Sequence, residues 1–505
     1  MALSRRHLLR LAAGGVLLTP FAAGCSALGT GGGANQETES SAGGLLTSEL
    51  ALPAPFTAPL PVPPVLRPTR SDADTDYYEI TQRVGEQEIL PGLRTRVWGY
   101  DGTFPGPTIE SRRGRRTVVR HRNELPVPVV VHLHGGRTPP EHDGYPTDVI
   151  APGGTRDYAY PLDQPSATLW YHDHRMDFTG PQVYRGLAGF HLVRDDVEQA
   201  LGLPAGDRDV PLMIADRAFA ADGSLRYPSL DPSLTGQPGV TAEHMSGVLG
   251  DCVLVNGAPW PVLEVTNTRY RFRLLNASNA RRYRLALDPP PPRGPAFTQI
   301  GSDQGLLAAP VGHDALHLAQ AERFDVVVDF SGYPLGQRVT LVNQLGRGGT
   351  AQVMRFVVAR RGTDDSRVPA KLAEVEPLTR AQAVVEREFT FQRGGGAAHH
   401  GVTPWTVNGQ PFHPDHLAAE PALGTVELWR LRAQNVPHPI HIHLAPFQVL
   451  NPGRYATGWK DTVDLGSGDE AEVLLRFDGY RGKYVFHCHN LEHEDMMMMA
   501  NFQVR

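Results

Sequence analysis

HCHNLEHEDMMMM, residues 487–499, sits near the C-terminus of a 505-residue chain. Cys488 is flanked by His487 and His489, His493 follows four residues after His489, and Met498 lies ten residues after Cys488. A thiolate, an imidazole and a weak thioether at these separations can close around one copper ion once a second imidazole is supplied. HPIHIHL, residues 438–444, offers that imidazole as His438. Alternate side chains share a face of an extended strand, so His487 and His489 point away from Cys488 toward different metal.

His441 and His443 in that same run form an HxH pair, and two further pairs stand upstream. His132 and His134 lie in VVVHLHGG, and His172 and His174 lie in TLWYHDH. One HxH pair is weak evidence, because exposed strands carry such pairs by chance. Four pairs, one wrapped around a cysteine, indicate a multi-metal centre. His399 with His400, and His413 with His416, have no Cys or carboxylate at a ligand spacing and read as solvated loop residues.

The four motifs, in this order and near the two ends of the chain, resemble those of the multicopper oxidases. HLHGGRTPPEHDGYP and HCHNLEHEDMMMM are most similar to the bacterial laccases of the spore-coat type and to bilirubin oxidase. The resemblance runs from about Tyr77 to the C-terminus and includes YDGTFPGPTIE, from Tyr100 to Glu110, and WKDTV, from Trp459 to Val463. It implies four copper ions. The type 1 copper would be held by His438, Cys488 and His493 with Met498 axial, and the type 2 copper by His132 and His441. The type 3 pair would be held by His134, His172, His174, His443, His487 and His489. Asp143 and Glu494 match acidic positions that deliver protons to such clusters, Asp143 toward the type 2 side and Glu494 toward the dioxygen side. The methionine ligand implies a low- to medium-potential laccase.

Hydrophobic residues make up 41% of the chain and charged ones 20%, which supports a full-sized core, and the length suggests about three domains. A formal charge of −6 gives no reason to propose a nucleic acid partner. Short Val-, Leu-, Thr- and Tyr-rich runs between Gly and Pro turn signals indicate an all-β fold. A domain-scale repeat supports this. VVRHRN ending at Asn123, RFRLLN ending at Asn276 and RLRAQN ending at Asn435 occupy equivalent places, and TLWYHDH and GKYVFHCH each follow an HxH pair by some forty residues. The middle copy reads ASNARRYRLAL and has lost its histidines. Three cupredoxin-like Greek-key sandwiches are therefore expected, over residues 71–200, 201–375 and 376–505. The first and third would carry metal at their interface, and the second would be a copper-free spacer.

Arg5 and Arg6 precede the apolar stretch Leu11 to Ala23 and read as a twin-arginine export signal within residues 1–25. FAAGC resembles a lipoprotein cleavage site with Cys25 lipidated, and an ordinary signal peptide that contains a cysteine is the alternative. Residues 26–70, Gly/Ser-rich and then Pro-rich, read as a linker, the proline part an extended spacer. An extracytoplasmic monomer, with a membrane tether through Cys25 if it is acylated, is expected. Cys252, in GDCVLVNG, has no disulfide partner and reads as a buried strand residue.

The resemblance implies oxidation of phenols, aromatic amines or bilirubin-like pigments, one electron at a time, coupled to reduction of dioxygen to water. A metallo-oxidase of cuprous, ferrous or manganous ions is the alternative, disfavoured in its specialised cuprous form because only nine methionines occur and none forms an insertion. A copper-free structural relative would have lost ligand positions, and none is missing here.

Overall fold

The computed structural model describes residues 41–450 and 458–505. Arg5, Arg6, Cys25 and residues 26–40 of the linker lie outside the described residues. No helix among the described residues is long and apolar enough to cross a membrane.

Among the described residues, three pairs of β-sheets follow one another, with one small two-stranded sheet besides, and the fold is an all-β set of cupredoxin-like sandwiches. In the first pair, Thr75–Gln87, Arg116–Asn123 and Thr155–Tyr160 form one sheet, while Ile109–Arg112, Ala188–Arg194, Ala167–Asp173 and Val131–His134 form the other. The second pair contains Arg269–Asn276 and Tyr283–Asp288 in separate sheets. In the third, Thr425–Ala433 is central to one sheet, and Met499–Val504, Gly482–Cys488, His438–Ile442 and Thr462–Leu465 are neighbours in the other. The strands alternate as their sequences require. Arg116–Asn123 reads exposed, buried, intermediate, buried, exposed, buried, exposed, buried, with Val119 inside and Arg120 outside.

The repeated asparagine explains two of the three copies. Asn123 Nδ2 donates to the carbonyls of Val127 and Ile150, and its Oδ1 accepts from the Leu125 amide at 2.9 Å. Asn276 does the same with the carbonyls of Arg281 and Leu318 and the Ser278 amide. Each amide side chain thus ties backbone groups of the following buried segment to the end of its strand. Asn435 departs from this pattern. It is exposed, adopts φ 69°, and accepts from the Arg393 amide instead.

The proline-rich segment is a correction to the expected spacer. It is extended but laid along the body. The amides of Phe56, Leu60 and Leu66 donate to the carbonyls of Trp260, Val262 and Thr108 at 2.8–2.9 Å. Leu50, Leu52, Phe56 and Leu60 pack against the main hydrophobic core, and Gly44–Leu46 pairs in parallel with Val248–Gly250. Proline lacks a donor, but the residues between prolines keep theirs and use them.

Candidate metal centre

Backbone register builds the site. His132 lies directly across from His172 on the antiparallel strands Val131–His134 and Ala167–Asp173. In the third sandwich His441 lies across from His487, and Ile440 lies across from Cys488. One histidine of each HxH pair therefore meets a histidine of the neighbouring strand. The two sandwiches then bring their rings together face to face. His132 stacks on His443 at 3.8 Å between centroids, and His134 stacks on His441 at 3.6 Å. All eight imidazoles of this cage are at most 1% exposed.

Their nitrogens sort into groups whose ligand atoms lie within 4.8 Å of one another: His132, His134 and His441; His134, His172 and His489; and His174, His443 and His487. Hydrogen bonds on the outer nitrogens decide which atom faces inward. His132 Nδ1 donates to the Asp143 carbonyl at 2.6 Å, His172 Nδ1 to that of Asp173 at 2.8 Å, and His441 Nδ1 to that of Asp461 at 2.8 Å. His443 Nδ1 meets Asp143 Oδ2 at 2.7 Å. Their Nε2 atoms are thereby turned to the interior, where His443 Nε2 and His174 Nε2 each stand 3.2 Å from His487 Nε2. His134 is reversed, with Nε2 on Asp461 Oδ1 at 3.1 Å and Nδ1 without a partner.

A separate group lies beyond the strand. Cys488 Sγ is 3.5 Å from His438 Nδ1 and 3.6 Å from His493 Nδ1, and those two nitrogens are 3.1 Å apart. All three residues are fully buried. Met498 belongs to the same core cluster as Cys488, and its carbonyl accepts the Cys488 amide at 3.1 Å. The methionine run splits by side. Met496 and Met498 pack with Cys488, whereas Met497, at φ 85°, and Met499 pack with Tyr145 and Phe412.

The two acids sit against cage histidines. Burial pushes the Asp143 carboxyl up to about 8, although Thr138 pulls it down. Glu494 is 3.2 Å from His487 Nδ1 and accepts from Thr179 Oγ1 at 2.7 Å. Burial would raise its carboxyl, but His487 and His174 hold it at about 2. Asp143 touches His443 through its carboxylate and His132 through its backbone carbonyl.

Converging imidazole nitrogens, several of them buried with no protein partner, fit metal ions. Imidazole with a single thiolate suits copper. The fit is complete.

Two multicopper oxidase family models match residues 83–198 and 381–505. The laccase of Bacillus subtilis strain 168 is 37% identical over 516 residues, covering 89% of this chain and 98% of that protein. The chain belongs to the multicopper oxidases. As a multicopper oxidase it is a copper-dependent oxidoreductase that uses dioxygen and a reductant. The bilirubin oxidase of Albifimbria verrucaria is 38% identical, with 88% of this chain and 81% of that protein covered. The crystal structure of a laccase from Pediococcus acidilactici superposes with a TM-score of 0.79 at 32% identity, over 91% of this chain and 96% of the other.

Several residues of the centre carried no readable signal. Asp461 holds two cage histidines yet stands out in sequence only as part of WKDTV. Trp405, its ring centroid 3.8 Å from that of His493, lies on a short strand, Trp405–Val407, that carries no ligand motif. His399 is 3.4 Å from Asp177 and only 20% exposed, so it is less solvated than its Gly-rich surroundings suggest. His400, His413 and His416 are exposed. Cys252 lies fully buried in the strand Cys252–Val255.

Proposed function

We propose that this multicopper oxidase is a laccase-like enzyme that withdraws single electrons from phenols or aromatic amines beside His493 and passes them to dioxygen in the histidine cage. His438, Cys488, His493 and axial Met498 would hold the type 1 copper, and His132 with His441 the type 2. His134, His172 and His489 would hold one type 3 ion, and His174, His443 and His487 the other. Bound copper supplies the one-electron redox chemistry at Cys488 and the reduction of dioxygen to water in the cage.

One observation carries this reading. His487 and His489 flank Cys488 in the backbone and belong to two different histidine triplets, so a single thiolate site is covalently joined to both. The remaining residues orient and protonate. Asp143 Oδ2 holds His443 Nδ1, leaving Oδ1, beside Thr138, as a place to keep a proton. Glu494 stands between His487 and His174, within 3.2 and 3.6 Å of their outer nitrogens, where a proton can be passed toward dioxygen. The paired arginines Arg5 and Arg6 support export by the twin-arginine route, and FAAGC supports a tether at Cys25 on an extracytoplasmic monomer.

Dioxygen uptake by copper-reconstituted protein, offered a methoxyphenol and in parallel cuprous ion, tests the substrate class. Rapid uptake with the phenol and little with copper is expected. The reverse would make the protein a metallo-oxidase.

A further inference from the structure

The second sandwich carries no cage histidine, yet its Arg323 reaches the cage. Arg323 lies on the strand Arg323–Asp329 and is fully buried. All five of its N–H donors are engaged. Nε donates to the carbonyl of Thr168 in the first sandwich at 3.0 Å. Nη1 donates to the Ala321 carbonyl at 2.9 Å, and Nη2 to the Asp303 carbonyl at 2.9 Å. The remaining two form a fork on the Asp461 carboxylate of the third sandwich, Nη1 to Oδ1 at 2.7 Å and Nη2 to Oδ2. Lys460, the neighbour of Asp461, turns elsewhere and pairs with Asp303 and Glu322 at 3.0 and 3.1 Å.

Asp461 in turn governs two stacked rings in opposite senses. Its carboxylate takes His134 Nε2, which leaves Nδ1 facing His172 and His489. Its carbonyl takes His441 Nδ1, which leaves Nε2 3.5 Å from His132 Nε2. The chain around His134 is shaped to this pair. A Cβ on Gly135, at φ 84°, would stand 2.8 Å from both Arg323 Nη2 and Asp461 Oδ2.

We infer that Arg323 is a positioning residue of the cage: its guanidinium fork fixes Asp461, and Asp461 sets which ring nitrogen His134 and His441 present to copper. The second sandwich is on this account a buttress of the metal centre and not a spacer. The inference rests on the copper assignment proposed above. Gln304 Nε2 and Thr462 Oγ1 also donate to the Asp461 carboxylate, at 2.6 and 2.9 Å, but each touches one oxygen whereas the planar fork holds both, and lysine, with a point charge on a flexible stem, does not reproduce it.

The test compares wild-type, Arg323→Lys and Asp461→Asn proteins, each loaded with copper. Copper per chain, the blue absorbance of the Cys488 site and the near-ultraviolet absorbance of the coupled pair are read beside dioxygen uptake. Loss of an outer partner of a metal ligand costs roughly 10- to 100-fold in metal affinity or activity. Arg323→Lys should therefore weaken copper retention in the cage by that factor under chelator challenge, with the near-ultraviolet band lost and the blue band kept. The blue band reports that the fold survives. Wild-type bands and retention in Arg323→Lys would overturn the inference. If Arg323→Lys loses the blue band too, Asp461→Asn decides. Selective cage loss there supports positioning. An intact cage, or loss of both bands again, overturns it in favour of no role or a general strut. Wild-type protein lacking the near-ultraviolet band would instead refute the copper assignment itself.

Discussion

The indole of Trp405 lies on the imidazole of His493 with centroids 3.8 Å apart and planes 30° from parallel, and its Nε1 donates to the Met245 carbonyl at 3.0 Å. The hydrogen bond ties Trp405 to Met245, which shares a core cluster with Cys488. Replacing such a fully buried ring with alanine leaves a cavity and costs about 3–5 kcal/mol. Trp405→Ala should therefore lower thermal stability and speed chelator removal of the blue copper, while the cage band is unaffected. Trp405→Phe, which keeps a ring against His493, should lie between. Equal blue-copper loss in all three proteins would contradict this.

Glu494 is wedged between His487 and His174 and bonded to Thr179. Glu494→Gln keeps the shape and removes the proton site. The variant should keep its blue colour and bind copper normally, but turn over more slowly, roughly 10²–10⁴-fold if proton delivery is lost outright. Steady-state dioxygen uptake across pH checks this, and an unchanged profile would sink the assigned role.

Met498, like Met496, sits with Cys488 in the core, and its carbonyl accepts the Cys488 amide. The axial ligand tunes the potential of such a site. Met498→Leu, nearly isosteric, should raise the midpoint potential in a redox titration at little cost in stability, about 1.5 kcal/mol or less. No rise would show that the side chain does not approach the metal.

His121 and His191 are buried histidines outside the metal centre. Burial lowers both to about 3, and their partners are Gln82 and Ser111. Both are neutral in the fold, whereas in the unfolded chain they take up protons below about 6.5. Their contribution to stability is thus fully present above that pH and is lost as pH falls toward 3, at most roughly 1.4 kcal/mol per group for each unit crossed. Thermal melts between pH 7 and pH 4 should show this decline, and His191→Gln should make it shallower. An identical slope in the variant would contradict the sign.

The metal-bearing strands were legible because their chemistry demands fixed spacing. His132 and His134, or His487 and His489, must be two apart to share a face, and Cys488 between them must turn the other way. The repeated asparagine marked the sandwiches for a similar local reason, since Asn123 and Asn276 each bond to the backbone of the loop that follows their own strand. The Arg323–Asp461 pair was invisible. It joins residues 138 positions apart, and a buried arginine in a Val-rich strand looks like any edge residue. The proline-rich segment was half legible. Composition gave its extended form, but nothing in it tells that Phe56 and Leu60 find partners on the second sandwich.

The most direct test of the account is the ratio of reductant oxidised to dioxygen consumed by the copper-loaded protein, with peroxide assayed in the same vessel. A cage that collects electrons from Cys488 through both His487 and His489 predicts about four one-electron equivalents per dioxygen and no free peroxide. Two equivalents per dioxygen with peroxide accumulating, or no uptake by fully loaded protein, would contradict it.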